Sequence, residues 1–295
     1  MNEGVQLSRL TTIGTGGPAR FLAEPRSVAE LTDALVFAHR RKLPVVTIGL
    51  GSNILVPDEG FDGVFLRLRG ELATVSVEDT AVIAGGGAPL AVCLHKARAA
   101  SLGGLEFACA IPGSAGGGVW MNAGAYGGDI AGVLRRALVV DCDGPAWRTP
   151  GELGLDYRRS ELRHGQVVAR AELALRHRPS EAIKATVAEL QTLRKEAQPT
   201  NRRTFGSVFK NPEHELTAGR MLDACGLRGY RIGGAQISPK HANFIENAGG
   251  ATTADALALV VAAKRAAHEH FGVTLETEVV MVGDIGSDTS AGSSR

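Results

Sequence analysis

The stretch IPGSAGGGVWMNAGAYGGD, Ile111 to Asp129, interleaves glycines with polar side chains in an order that does not repeat. Glycine leaves backbone N–H groups uncovered and lets the chain approach an anionic ligand closely, so such a loop can hold a phosphate or pyrophosphate. A glycine-only linker would not need polar residues at these positions. We therefore interpret the stretch as a cradle for a nucleotide cofactor. Its candidate cofactor contacts are Gly113, Ser114, Gly117, Asn122 and Gly124.

A second glycine loop, Gly49-Leu50-Gly51-Ser52-Asn53, directly follows a short apolar run of strand type. It begins like a dinucleotide fingerprint, but Ile54 occupies the place of the third glycine, and a Rossmann interpretation is weak. The sequence also lacks the GxxxxGK[ST] pattern of a P-loop. Alone, the loop is equally consistent with a glycine turn after a strand. Together with Ile111 to Asp129, it favours cofactor binding, with Gly49, Gly51, Ser52 and Asn53 as contacts.

Composition excludes several classes of function. Lys and Arg number 32 against 31 Asp and Glu, so the net charge of +1 creates no general attraction to nucleic acid or anionic membranes. The N-terminus lacks the basic and apolar regions of a signal peptide, and no apolar run is long enough to span a membrane. The four cysteines are far apart and form no zinc-type spacing. We expect a cytoplasmic protein with free thiols, no metal, no nucleic-acid or membrane partner and no obligate protein partner.

Hydrophobic periodicity predicts an α+β fold. Helices are expected over Ser27 to Arg41, Pro89 to Ala100, Ser180 to the residue before Pro199, Thr217 to Ala224, and from the Thr252/Asp255 cap to Gly272; a final strand is expected over Val273 to Val282. We place a first domain at 1–180, with lobes at about 1–70 and 71–180, and a second domain at 181–284. Residues 285–295 are rich in Gly, Ser and Thr and are expected to be a disordered tail.

Three further segments carry candidate chemistry. In Tyr157-Arg158-Arg159-Ser160 an arginine could stabilise an enolate or carboxylate, although a solvated basic turn is the simpler interpretation. GSVFKNP, Gly206 to Pro212, sets a serine beside phenylalanines and a lysine, or else merely packs as an aromatic loop. In Leu275 to Val279 two glutamates lie two apart and would share a face of a strand. One could be partly buried with a raised pKa, while the other faces solvent.

These motifs together resemble the UDP-N-acetylenolpyruvoylglucosamine reductase family. The resemblance runs from about Leu10 to Gly283 and rests on several ordered motifs. They are GGPA (Gly16 to Ala19), GSNILV (Gly51 to Val56), IPGSAGG with MNAGAYG, YRRS, GSVFKNP, KHANFIEN (Lys240 to Asn247) and the terminal LETEV. No segment corresponds to the inserted tyrosine of the longer class, so the chain resembles the short class. Gly14-Thr15 stand where many relatives carry a basic residue.

The resemblance implies a two-lobed FAD domain of the vanillyl-alcohol-oxidase type and a smaller α+β substrate domain. It implies that NADPH reduces FAD and that flavin N5 then delivers hydride to the enolpyruvyl group of a UDP-sugar, in peptidoglycan precursor synthesis. Arg158 and Glu278 match positions that stabilise the resulting enolate, and Ser207 matches the proton donor. Glu278 is preferred over Glu276 because it directly precedes the valine of the family's Glu-Val pair. Candidate substrate contacts are Tyr126, Lys210, Asn211, Lys240 and His241.

Two other functions are weighed against this one. The same fold could carry an oxygen-using flavin oxidase, which would need a base near the flavin rather than a proton donor. A non-catalytic nucleotide-binding protein would be colourless when purified. Reoxidation of the reduced flavin by the enolpyruvyl substrate, as opposed to reoxidation by oxygen, distinguishes the reductase from the oxidase.

Overall fold

The computed structural model describes residues 1–283 and 285, which form two compact units. The first unit comprises Met1–Glu3, Phe21–Leu50 and Asp62–Arg194, and the second comprises Gly4–Arg20, Gly51–Phe61 and the chain from Lys195 onward. The predicted disordered tail, 285–295, lies outside the described residues except for Ile285, which packs against the core of the second unit.

Within the described residues, the chain combines helices with two main sheets that are antiparallel, which confirms the predicted α+β class. The α-helices are α1 (Val28–Arg40), α2 (Leu90–Ala99), α3 (Ala115–Trp120), α4 (Ser180–Ala197), α5 (Ala218–Ala224) and α6 (Thr253–Phe271). The strands are β1 (Asn2–Gln6), β2 (Pro18–Ala23), β3 (Val45–Thr47), β4 (Ile54–Leu55), β5 (Phe61–Leu66), β6 (Val75–Glu78), β7 (Ala81–Gly85), β8 (Leu102–Gly103), β9 (Gly124–Ala125), β10 (Gly128–Asp129), β11 (Leu134–Asp141), β12 (Gly144–Arg148), β13 (Val167–Ala174), β14 (Arg176–His177), β15 (Thr204–Ser207), β16 (Arg231–Ile232), β17 (Ala235–Ile237), β18 (Phe244–Asn247) and β19 (Val280–Met281).

The first unit is built on an antiparallel sheet with the strand order β12-β11-β13-β7-β6. Helices α2 and α3 pack on this sheet and enclose an apolar core that includes Val82, Leu90 and Val119. A second cluster joins Leu31 and Leu35 of α1 to β5, β11 and β13. Strand β3 pairs in parallel with β5. Shortly after β3 the chain enters the predicted glycine loop, which begins at Gly49.

The second unit is built on an antiparallel sheet with the order β15-β18-β17-β16, against which α6 packs. Its core gathers Phe205, Phe209, Ile245 and Leu259. The predicted cap of α6 is confirmed, because the Thr252 hydroxyl and the Asp255 carboxylate form a reciprocal capping box. The helix ends at Gly272, whose φ of 67° lies in the left-handed region that glycine adopts without strain.

The cap of α1 forms only in part. The Ser27 hydroxyl accepts a hydrogen bond from the backbone N–H of Glu30 at 3.2 Å, as the capping-box spacing predicts. The Glu30 carboxylate, however, accepts from the N–H of Arg26 at 2.8 Å. Glu30 therefore reaches one residue further back than in a standard capping box.

The prediction of one long final strand over Val273 to Val282 is wrong. Only Val280–Met281 forms a strand, which pairs with β4, and Thr277 makes an isolated bridge to Phe209. The N–H groups of Glu278 and Val279 both point to the carbonyl of Val208, so the ladder is interrupted there. The segment changes partner between these two contacts, which prevents a continuous strand.

The glycine stretch is also more regular than a loop, because it contains α3. The Ser114 hydroxyl caps this helix by accepting from the N–H of Gly117 at 3.3 Å. Glycine is a poor helix former, but a Cβ at Gly116 would lie 2.9 Å from the carbonyl oxygen of Gly86. Close approach of the backbone therefore accounts for glycine within the helix.

Helix α4 lies mostly in the first unit, since that unit ends at Arg194. The domain boundary at 180 and the boundary between the two lobes, both inferred from the sequence, stay predictions. No helix within residues 1–283 combines the length and apolar composition needed to span a bilayer.

Candidate functional site

In the first unit, the first residue of the shorter glycine loop, Gly49, lies against the start of the long glycine stretch. A Cβ placed on Gly49 would lie 2.4 Å from the Ser114 hydroxyl oxygen, so a side chain here would displace the residue that caps α3. Ser114 is buried. The structure thus brings two predicted cofactor residues from separate loops together.

Gly113 and Gly117 on the same stretch leave open the space that a side chain would fill. A Cβ on Gly113 would meet its nearest atoms at 3.7 Å, and one on Gly117 would meet only the Ser114 hydroxyl, at 3.4 Å. Open space of this kind beside a helix cap can admit an anionic group such as a pyrophosphate. The residues present therefore fit a phosphate-bearing cofactor at this place.

Asn122 makes side-chain hydrogen bonds that link the glycine stretch to Ala131 and Asp156. Its side-chain oxygen accepts from the N–H of Ala131 at 2.8 Å, and its side-chain nitrogen donates to the carbonyl of Asp156 at 3.0 Å. A weaker bond runs to the Asp129 carboxylate at 3.4 Å. Asn122 is buried with these partners, so its contacts in the structure are internal, and cofactor binding by its side chain stays a prediction.

Tyr126 lies at the tip of a tight hairpin between β9 and β10. Tyr126 and Gly127 both have positive φ, 51° and 81°, which is the geometry of a two-residue hairpin turn. The Tyr126 ring is 43% exposed, and partial burial raises the pKa of its hydroxyl. It therefore presents a neutral phenol at the surface of the first unit.

Arg158 lies in a second two-residue turn, between the paired residues Asp156 and Arg159. Its φ of 54° is uncommon for a residue with a side chain. The guanidinium donates to the carbonyl of Gly124 and lies 5.1 Å from the ring centre of Tyr157. The turn, the Gly124 contact and the partial burial of Arg158 fix a positive charge beside the hairpin that carries Tyr126.

In the second unit, Gly51 allows the loop to touch the N-terminal segment. A Cβ on Gly51 would lie 2.0 Å from the carbonyl oxygen of Leu10, and the φ of Gly51 is 68°. The Gly51 carbonyl accepts hydrogen bonds from both the N–H and the hydroxyl of Thr12. This glycine is therefore required by packing, independently of any cofactor.

The next two residues of the loop, Ser52 and Asn53, are partly buried. The side-chain nitrogen of Asn53 donates to the carbonyl of Glu278 at 3.1 Å, and its own carbonyl accepts from the N–H of Val280 at 3.1 Å. Asn53 thus connects the predicted cofactor loop to the segment of the predicted catalytic glutamate.

Ser207 ends β15 directly after a backbone irregularity. Gly206 has a φ of 83°, and the pairing of β15 with β18 changes register between Thr204 and Ser207. Such a bulge turns the side chains that follow it to a new direction. Ser207 is partly buried next to the fully buried Val208 and Phe209. Ser207 accordingly offers a partly buried hydroxyl directly before two buried apolar residues in the chain.

Glu278 is held directly beside this strand. Its N–H donates to the carbonyl of Val208 at 2.8 Å, and its carbonyl accepts from Asn53. The structure therefore brings the segments of Ser207 and Glu278 together within the second unit, and Glu278 is partly buried.

Glu276 has different surroundings, although it lies only two residues away. Its side chain is 76% exposed, and its carboxylate lies 3.3 Å from the ammonium group of Lys210. The backbone N–H of Lys210 also donates to the carbonyl of Glu276. The two glutamates do not share the face of a regular strand as predicted, because this segment forms only an isolated bridge at Thr277 and the regular strand begins at Val280.

The remaining predicted substrate residues have structural contacts of their own. The Asn211 side-chain oxygen accepts from the N–H of Ala218 at the start of α5. Lys240 is exposed and donates to the carbonyl of Lys195. The His241 ring lies over Gly219, and burial together with Arg228 lowers its pKa. His241 is therefore neutral near pH 7, and binding of a phosphate by its charge is not favoured.

The sequence interpretation did not single out Asn243. This residue is 5% exposed and makes side-chain hydrogen bonds to both backbone polar groups of Phe209. The sequence held a signal for it, because Asn243 is an amide that stands between two apolar residues, Ala242 and Phe244.

Among the described side chains, no three His, Cys, Asp or Glu residues gather as a metal site requires.

Two family models match the chain, in the order of its predicted domains. The model described as "FAD binding domain" matches residues 19–149, which include Gly49 and Ser114. The model described as "UDP-N-acetylenolpyruvoylglucosamine reductase, C-terminal domain" matches residues 198–282, which include Ser207 and Glu278.

Individual relatives match over nearly the whole chain. UDP-N-acetylenolpyruvoylglucosamine reductase 2 of Symbiobacterium thermophilum is 44% identical over 279 residues, which are 94% of this chain and 90% of the relative. Reductase 1 of Bacillus thuringiensis subsp. konkukian is 43% identical over 280 residues, 94% of this chain and 93% of the relative. The crystal structure of the reductase from Thermus caldophilus superposes with a TM-score of 0.82 at 39% identity, covering 95% of this chain and 98% of that one.

Full-length identity of this level, together with the ordered motifs at Gly49, Ser114, Ser207 and Glu278, leaves one conclusion. The chain belongs to the UDP-N-acetylenolpyruvoylglucosamine reductase family.

Proposed function

We propose that the chain is the FAD- and NADPH-dependent enzyme that reduces UDP-N-acetylenolpyruvoylglucosamine to UDP-N-acetylmuramate in peptidoglycan precursor synthesis. Family membership and the matched FAD domain support this function. One structural observation supports the residue roles most strongly. Glu278 is hydrogen-bonded through its N–H to Val208, so the predicted acidic group and the predicted proton donor Ser207 are carried by adjoining backbone.

The reaction adds two hydrogens across the enolpyruvyl double bond. FAD, when bound, supplies the redox chemistry by taking a hydride from NADPH and passing it to the methylene carbon of the substrate. The neighbouring carbon must then gain a proton, while the negative charge that develops on the substrate's carboxylate side needs stabilisation. The protein supplies that proton and that stabilisation.

Ser207 is proposed as the proton donor. A serine hydroxyl is a weak acid in water, but a carbanion-like centre is a much stronger base, and a site poor in water favours direct transfer. Phe205, Val208 and Phe209, which neighbour the serine in sequence, are all buried, and this supports a site poor in water. The bulge at Gly206 directly precedes the serine, and a bulge redirects the side chains that follow it.

Arg158 and Glu278 are proposed to stabilise the developing charge. The Arg158 guanidinium carries a permanent positive charge and is held by the Gly124 carbonyl. Glu278 can donate a hydrogen bond to the substrate only when its carboxyl group is protonated. Gly49, Gly113, Ser114 and Gly117 are proposed to accommodate FAD phosphates, and Tyr126, Lys210 and Asn211 to contact substrate.

The location and the partners of the protein belong to the same proposal. The four cysteines of the chain are free, and burial raises the pKa of the Cys93 thiol to about 12. Free thiols of this kind suit a reducing compartment. We infer a cytoplasmic enzyme that acts on a small-molecule substrate without an obligate protein partner.

Replacing Ser207 by Ala tests the proton-donor role. We expect Ser207→Ala to leave the rate of flavin reduction by NADPH within about twofold, because that step needs no proton from Ser207. Reoxidation by the enolpyruvyl substrate should slow by roughly 10² to 10⁴, the usual contribution of a general acid. Anaerobic stopped-flow absorbance of the flavin measures the two steps separately.

Ser76→Ala is the matched control, because Ser76 lies exposed on β6. Both steps should proceed in it as in the wild type. Normal substrate reduction by Ser207→Ala would refute the role given to Ser207.

A further inference from the structure

Asn243 is a buried amide whose side-chain hydrogen bonds all go to one neighbouring residue. The N–H of Phe209 donates to its side-chain oxygen at 2.9 Å, and its side-chain nitrogen donates to the carbonyl of Phe209 at 2.8 Å. Its backbone carbonyl also accepts from the N–H of Val208 at 2.9 Å. One residue thus fixes the backbone of two successive positions.

Those two positions directly follow Ser207. The bulge at Gly206 interrupts the pairing of β15 with β18, so the regular ladder alone does not fix the chain beyond it. The bonds from Asn243 replace that ladder for Val208 and Phe209. They therefore fix the position of the backbone that directly follows Ser207.

The backbone that Asn243 holds also contacts the segment of Glu278. The Val208 carbonyl accepts from the N–H of Glu278, and Thr277 forms an isolated bridge with Phe209. A displacement of the Val208–Phe209 backbone would consequently move both the serine and the glutamate. No other described side chain bonds to both backbone groups of Phe209.

We propose that Asn243 is a positioning residue for the proton-transfer half of the reaction, because its amide holds the Val208–Phe209 backbone that carries Ser207 and Glu278. This inference rests on the proposed roles of those two residues. Asn243 does not touch substrate or cofactor in the proposal. It acts through the backbone alone.

An amide is required at this position by the direction of the two bonds. One partner is a donor and the other an acceptor, so the side chain must accept and donate at once. An ionised aspartate has nearly the same shape but only accepts. Asn243→Asp therefore keeps the bond from the Phe209 N–H and loses the bond to the Phe209 carbonyl.

Misplacement of a reacting group by about 1 Å can slow a reaction on the order of 10²-fold. We expect Asn243→Asp and Asn243→Ala to slow reoxidation of the flavin by the enolpyruvyl substrate roughly 10- to 100-fold. Reduction of the flavin by NADPH should stay within about twofold of the wild-type rate, since it does not use Ser207. Amides within 205–210 and 276–279 should exchange hydrogen faster in both variants.

The experiment combines anaerobic stopped-flow absorbance of the two half-reactions with hydrogen exchange followed by mass spectrometry. Asn247→Asp is the matched control. Asn247 lies on the same strand and donates through its side-chain nitrogen to the carbonyl of Ile13. Its other side-chain bonds go to the N–H groups of Gly249 and Ala251, so neither Ser207 nor Glu278 depends on it.

Slow reoxidation with normal reduction in both Asn243 variants, and with both steps normal in Asn247→Asp, would support the proposal. Normal reoxidation in folded, flavin-containing Asn243→Asp would overturn it, as would equal slowing of both half-reactions. If the wild-type flavin is not reoxidised by the enolpyruvyl sugar at all, the proposed function fails instead. Unchanged exchange within 205–210 would still overturn the inference, because that measurement does not depend on activity.

Discussion

Glu276 and Glu278 are two residues apart but have different electrostatic surroundings. Glu276 is exposed and paired with Lys210, whereas Glu278 is partly buried and tied by its backbone to Val208 and Asn53. Exposed ion pairs contribute little free energy, because water and salt screen them. The two carboxylates are therefore expected to contribute very differently to the reaction.

We expect Glu278→Gln to slow substrate reduction roughly 10² to 10³-fold, the usual loss when one group that stabilises a developing charge is removed. Glu276→Gln should leave kcat unchanged and raise KM by at most about threefold, because it only releases Lys210. Steady-state kinetics with the enolpyruvyl substrate compare the two variants. A larger loss of kcat in Glu276→Gln than in Glu278→Gln would reverse the assignment.

At this scale the sequence predicted residue types better than their contacts. Ser207, Glu278 and Arg158 were identified through the resemblance to the reductase family, and their roles stay proposals. The internal contacts of Asn122 and Asn53 were not predictable, since their partners lie 7 to 225 residues away in sequence. The same holds for Asn243, whose partner Phe209 is 34 residues away.

Among the secondary-structure elements, α3 depends on its cap and on one close contact. Ser114 caps the helix, and Gly49 leaves just enough space for the Ser114 hydroxyl. If that hydroxyl is displaced, the N–H of Gly117 loses its partner. Loss of a helix cap typically costs about 1 kcal/mol.

We expect Gly49→Ala to lower the thermal midpoint by a few degrees, the shift that about 1 kcal/mol produces in a protein of this size class. It should also weaken retention of FAD, because the displaced loop is the proposed phosphate contact. Thermal unfolding followed by flavin fluorescence measures both effects. Gly151→Ala is the control, because a Cβ there meets nothing within 4 Å. Equal behaviour of the two variants would contradict the close contact.

The turn that carries His241 predicts a pH effect on stability. Burial, followed by the charge of Arg228, lowers the pKa of His241 below its ordinary value near 6.5. The unfolded chain therefore binds a proton more readily than the folded protein as the pH falls. The stability that His241 contributes is complete above pH 6.5 and is lost as the pH falls toward the lower pKa of the folded state.

We expect the thermal midpoint to fall between pH 7.5 and 5.5, and to fall less in His241→Gln, which cannot be protonated in this range. Protonation would also remove the acceptor that the ring nitrogen offers to the N–H of Asn243 at 3.2 Å. Thermal scans across this pH range test the effect, and the other histidines form the same background in both proteins. An identical pH slope would refute it.

The helices were the most predictable elements. Apolar periodicity is a local signal, and capping residues mark the starts of α1, α5 and α6, so α1, α2, α4, α5 and α6 were predicted to within a few residues at either end. The final strand was predicted too long, because its pairing partners change from Val208 to β4. Helix α3 was missed, because its three glycines disfavour a helix locally, and the close approach to Gly86 that accounts for Gly116 cannot be read from local sequence.

For the whole molecule, the α+β class and the reductase family follow from the sequence, and full-length relatives confirm the family. The composition of the two compact units does not follow from it. The second unit takes Gly4–Arg20 and Gly51–Phe61 from the N-terminal part of the chain. Such non-local assembly depends on contacts between distant segments, which local periodicity does not encode.

The central claim is that the intact protein passes hydride from NADPH through bound FAD to an enolpyruvyl ether. Anaerobic titration of the purified yellow protein tests it most directly. We predict that one equivalent of NADPH bleaches the flavin absorbance and that one equivalent of UDP-N-acetylenolpyruvoylglucosamine restores it without oxygen, forming UDP-N-acetylmuramate. Protein that lacks flavin, or flavin that recovers its absorbance only when oxygen is admitted, would contradict the account.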